Sequence, residues 1–131
     1  MSNGSLTLSN PSQLVANEQV GIPGNLNITC SAGTTFTITN VINNGTASTI
    51  NNAVDGVFAS IRKGTNIIVR GEISPSGNIN PAHPPGTSSL VQTAPIIDQD
   101  YAIDLSVFRT APQLLPAGSY VYRVNILLTP Q

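Results

Sequence analysis

The chain has 131 residues, enough for one domain with a core of its own. Hydrophobic residues make up 40% and charged residues only 8%, against about 25% charged in an average soluble domain. Net charge is −1, and Arg62, Lys63, Arg70, Arg109 and Arg123 are scattered, so no basic stripe exists to neutralise phosphates and no nucleic-acid partner is expected.

The opening "MSNGSLTLSN" has neither a basic region nor an apolar stretch, and does not read as a signal peptide. No apolar run is long enough to cross a membrane as a helix, so no membrane insertion is expected. Within the opening, "SLTL" sets Leu6 and Leu8 on one side, and Pro11 interrupts the run. "NLNITC" follows, with Leu26, Ile28 and Cys30 on one face and Asn25, Asn27 and Thr29 on the other. "TTFTITNVI" aligns Phe36, Ile38 and Ile42. "GVFASIR" aligns Val57, Ala59 and Ile61, although "TINNAVDGVFASI" is also arguable as a helix. "NIIVRGEI" aligns Ile67, Val69 and Ile73, with Arg70 and Glu72 outside. "SPSGNINPAHPPGTSS" holds Pro75, Pro81, Pro84 and Pro85, which remove backbone donors and make residues 75–86 a surface loop. "YAIDLSVF" aligns Tyr101, Ile103, Leu105 and Val107. The final run places Tyr120, Tyr122, Val124, Ile126 and Leu128 on alternate residues, with nothing after it to pair.

These runs repeat every second residue, are rich in Val, Ile and Thr, and are separated by Asn44-Gly45, Asp55-Gly56, Lys63-Gly64, Ser76-Gly77 and Ala117-Gly118. Many short strands between frequent turns predict an all-β antiparallel sandwich or barrel, and of the two the expectation is an Ig-like sandwich. Residues 1–20 read as an N-terminal segment and 21–131 as the sandwich domain.

Little in the chain suggests catalysis. His83 is the single histidine, with no Cys or Glu at ligand spacing. Cys30 has no cysteine to bridge and no basic neighbour in sequence, and reads as a small core residue. Asp98, Asp100 and Asp104 cluster, as a Ca²⁺ site would require, but Asp98 and Asp100 read as turn acids before a strand. No phosphate loop, nucleophile elbow or dinucleotide fingerprint occurs. The reading is no enzyme, no metal and no cofactor.

Two stretches resemble the spore-coat-protein-U-like secreted pilus subunits, the archaic class of chaperone–usher pilins. They are "LNITCSAGTTFTIT" at 26–39 and "LSVFRTAPQLLPAGSYVYRVNILLTP" at 105–130. The matching residues are Cys30, Gly33, Pro116, Ala117, Gly118, Tyr120, Val124, Ile126 and Leu128. Family members usually carry a second Cys bridged to the first, and here Cys30 has none. The resemblance implies a sandwich lacking its final strand, completed by a strand from another subunit. It implies a non-catalytic subunit of a secreted or cell-surface pilus or coat, and an oligomer of itself or related subunits. A periplasmic chaperone and an usher would be further partners. Leu6, Leu8 and Leu14 would be the donor plugs. Tyr120, Tyr122, Val124, Ile126 and Leu128 would be the acceptor edge. A carbohydrate- or other ligand-binding sandwich and a capsid or tail-type structural protein are the alternatives, the sugar site being disfavoured by the absence of Trp.

Overall fold

The computed structural model describes residues 1–46, 56–73, 86–109 and 114–131. His83, the Pro-rich stretch up to Pro85, the Ser76-Gly77 turn and the side chains of Glu72 and Ile73 lie outside the described residues. The described elements are all strands: β1 (Thr7–Asn10), β2 (Gln13–Ala16), β3 (Gly24–Cys30), β4 (Thr34–Asn43), β5 (Gly56–Lys63), β6 (Asn66–Ile73), β7 (Ile96–Phe108) and β8 (Tyr122–Pro130). Gly56–Ile61, the described part of the stretch also arguable as a helix, is strand. Its Val57, Ala59 and Ile61 are buried on one face, as alternation requires.

All the pairings are antiparallel, in two sheets. The larger has six strands in the order β1-β2-β7-β5-β6, with β3 also on β7. β7 is long enough to serve two partners along one edge. Its first half pairs with β3, Cys30 opposite Ile96 through Gly24 opposite Ile103. Its second half pairs with β2, Ala16 opposite Leu105 through Gln13 opposite Phe108. β5 runs along the other edge. The smaller sheet is β4 and β8. A non-strand segment flanks β4 on its other side. Gln92 and Thr34 exchange backbone hydrogen bonds there, Ser89 N donates to Phe36 O, and Gly86 N donates to Ile38 O.

The core lies between the sheets. Phe36 and Ile38 of β4 meet Ile28, Ala59, Ile61, Val69, Ile96 and Tyr101 of the larger sheet. The Phe36 and Tyr101 rings sit 4.6 Å apart, tilted by 44°. The sheets approach closely at Gly71, where a Cβ would fall 2.8 Å from Ile38 Cγ2. The fold is thus an all-β antiparallel sandwich, as the alternation predicts.

Three local expectations change, each at a bulge. The β4–β8 register shifts between Ile38 and Asn40, which inverts the alternation beyond that point. Val41 therefore packs on the core opposite Val124, and Ile42 does not continue the face of Phe36 and Ile38. Asn40 Oδ1 accepts a hydrogen bond from Val41 N at 2.8 Å. In β6 the extra residue is Ile68, which packs on the core and leaves Ile67 exposed. In β7 the register slips opposite Ile28 and Cys30, with Asp98 at φ 47°. Asp98 and Asp100 are therefore inside the strand and do not precede it.

The segment expected over residues 1–20 also changes character. Its β1 and β2 are strands of the larger sheet, joined at Pro11 and Ser12, where Asn10 Oδ1 accepts from Ser12 N at 2.8 Å. Pro11 interrupts the run because it makes the turn.

Candidate assembly groove

β8 is set in place from both ends. Before it, the Tyr120 hydroxyl donates to the carbonyl of Pro116, closing the Pro-Ala-Gly-Ser-Tyr turn, with Gly118 at φ 145°. Along it, β4 forms a ladder from Asn43 opposite Tyr122 to Thr34 opposite Pro130. That ladder uses one edge. Among the described residues, no second strand lies along the other from Arg123 to Pro130.

Close to that edge runs a groove of about 710 Å³. Tyr120 to Val124 form one wall and Met1 to Leu6 the other. Leu14 and Ala16 of β2, Gly24 of β3, and Ile103 and Leu105 of β7 form its floor. The floor is apolar because it is the core-facing side of the larger sheet, reaching beyond what β4 and β8 cover. Leu8 stands opposite Leu14 in the β1–β2 ladder and shares its face, yet is 61% exposed. The apolar surface therefore continues outward from the groove, with Leu8 uncovered among the described residues. An open edge close to uncovered apolar surface has both parts that strand addition uses: main-chain partners and pockets for alternate side chains.

Of the named residues, Leu6, Leu14, Tyr120, Tyr122 and Val124 line the groove, and Leu8, Ile126 and Leu128 do not. Tyr122, Val124 and Ile126 lie half-buried on β8, Leu128 is more open, and Tyr120 falls just before the strand. Leu6 is half-buried on the groove wall. Leu14 is a correction: it is held in β2 between β1 and β7, and so belongs to the floor, not to a donor. Ala16, Gly24, Ile103 and Leu105 were not assigned to a site from sequence. Alternation puts Ile103 and Leu105 on an inward face, but says nothing of where the opposite sheet stops.

Cys30 is free and packs against the core from its margin, half-buried. Hydrogen bonding to Thr34, and then to the Ala32 backbone, lowers its thiol pKa below the ordinary value. A low thiol pKa with partial access favours the thiolate. We expect Cys30 to react with a thiol reagent in the folded protein. Labelling seen only after adding denaturant would contradict this.

The acids are engaged by amides and one arginine. Asn27 Nδ2 donates to Asp98 Oδ1 at 3.0 Å and to Asp100 Oδ1 at 2.9 Å, and Asn25 Nδ2 to Asp100 Oδ1 at 3.1 Å. Those bonds, Asn27 first, hold the Asp100 carboxyl below the usual range. Its contribution to stability is thus present above the unfolded-state pKa and fades as pH falls through the folded one. Asp104 lies apart, paired with Arg62. Among the described residues, no three His, Cys, Asp or Glu side chains are grouped to hold a metal.

Comparison with protein-family models, with curated proteins and with solved structures finds no match for this chain.

Proposed function

We propose that this protein is a non-catalytic structural subunit of a secreted surface assembly, and that subunits join by β-strand addition at β8. The observation that carries the reading is that, among the described residues, no second strand lies along β8 from Arg123 to Pro130, close to an apolar groove. The Tyr120 hydroxyl bond to Pro116 adds to it, since a tyrosine tied back to the chain just before a strand is a feature of Ig-like sandwiches. In that comparison β4 and β8 form a sheet with room for one further strand. The donor is the Met1–Asn10 segment of a neighbouring copy, narrowed from the sequence expectation because Leu14 is a floor residue. Leu6 and Leu8 are its apolar plugs. Burying each contributes roughly 1.5–3 kcal/mol, and each ladder hydrogen bond adds about 0.5–1.5 kcal/mol.

Hydrogen exchange tests the acceptor. On assembly, backbone amides within 122–128 should gain protection, and the oligomers should persist on dilution. Leu6→Asp should abolish them, because it puts an unpaired charge into an apolar groove. Ser5→Asp should retain them, since adjacent strand residues face opposite ways. A chain that stays monomeric at every concentration, or oligomers that leave β8 unprotected, would rule the proposal out.

A further inference from the structure

The segment proposed as donor is already docked on its own domain, and how it is docked is informative. Ser2 and Asn25 exchange backbone hydrogen bonds of 2.9 and 3.0 Å, and Ser5 and Ile22 exchange a second pair of 2.7 and 2.9 Å. Two glycines make that approach possible. A Cβ on Gly4 would fall 2.5 Å from Ile22 O and 2.7 Å from Gly24 N, both backbone atoms that cannot swing away. Gly21, at φ 75°, would bring a Cβ to 2.7 Å from Ser5 O. Side chains add little: of residues 1–10, only Leu6 is as much as half-buried.

From this we infer that Gly4 and Gly21 form a latch that holds the N-terminal strap at home, and that its release gates assembly. The inference rests on the strand-addition reading of β8. The strap has two alternative berths. At home it makes backbone bonds but leaves Leu8 exposed. On a neighbour's β8 it would exchange the short β1–β2 ladder for a longer one and bury both leucines. The home berth is intramolecular and carries a high effective concentration, so in dilute solution it slows the start of assembly without dissolving oligomers already formed. The neighbour's berth makes more contacts and wins when subunits are crowded. The groove keeps its volume of about 710 Å³ with the strap at home, so a latched subunit can accept a strand but cannot donate one.

A reversible lock tests this. In a Cys30→Ala background, Ser2→Cys with Asn25→Cys places cysteines at a hydrogen-bonded antiparallel pair. Cα atoms there are about 5.5 Å apart, inside the disulfide range. The oxidised chain should stay monomeric, and a reductant should restore assembly. Gly4→Val is the complementary variant: it ejects the strap without touching the core and should speed assembly roughly tenfold or more. A synthetic peptide of residues 3–10 should still protect β8 amides in the oxidised monomer. If the oxidised chain assembles as fast as the reduced one, or Gly4→Val is no faster than the parent, the latch is refuted. If that happens while the peptide protects β8, the latch alone is wrong. If the peptide protects β8 in neither the locked nor the unlocked chain, strand addition fails and the latch with it.

Discussion

Phe36→Ala is expected to destabilise the fold by about 3–5 kcal/mol. That is a large part of the roughly 5–15 kcal/mol typical of a whole domain. Phe36 is fully buried, and its ring contacts Tyr101 across the two sheets. It holds β4 against the larger sheet, and β4 is the strand that pairs with β8. Truncation leaves a cavity that neither sheet can close without moving the whole β4–β8 pair. Phe58→Ala is the control. Phe58 also meets a ring, Phe108 at 4.7 Å, but is partly exposed on the outer face. Urea denaturation should show a much larger fall in midpoint for Phe36→Ala. Equal shifts would mean that the inter-sheet contact is not what holds the smaller sheet.

Asp104→Ala should lower stability by about 3 kcal/mol, near the low end for breaking a buried pair. Arg62 Nε and Nη2 meet the two oxygens of Asp104 at 2.8 and 3.1 Å, a fork matched to a carboxylate. The side chains are only 12% and 14% exposed, so removing one partner strands the other's charge away from water. Bonding to Asp104 is the main cause that raises the Arg62 pKa, so the guanidinium remains charged. Glu18 touches the same guanidinium at 3.1 Å but is 49% exposed. Glu18→Ala should therefore cost less than about 1 kcal/mol. Added salt should weaken the Glu18 contribution and leave that of Asp104 nearly unchanged. Thermal melts of both variants at low and high salt would decide the point, and equal effects would contradict it.

The strands were legible because alternation is a direct imprint of a two-faced sheet. Val57, Ala59 and Ile61 show it cleanly, and so do Leu26 and Ile28. The bulges were not legible, for a specific reason. At Val41-Ile42 and Ile67-Ile68 two β-branched residues stand side by side, and either can face the core. The partner strand decides, and that partner is distant in sequence. The groove was half legible. The alternation of Leu6 and Leu8, and of β8, tells which residues share a face, and of these Leu6, Tyr122 and Val124 line the groove. Whether Leu14 plugs a groove or paves one depends on β7, which pairs with β2 from the far end of the chain. Cys30 is a different case: a face apolar in sequence is buried only if something covers it, and its neighbours leave it half open.

The central place of β7 sets a timetable. Gln13 pairs with Phe108 and Gly24 with Ile103, so until β7 exists β3 has no strand ladder and β2 has only the short β1 beside it. Synthesis runs at about 5–20 residues per second, and the early strands emerge seconds before their partner. Pairing across such separations is also slow in a completed chain, on the millisecond-to-second scale of all-β domains. During that wait the nascent chain carries unpaired, alternating strands in the open. The newborn polypeptide is most in need of protection from sticking to its sisters before β7 has been made.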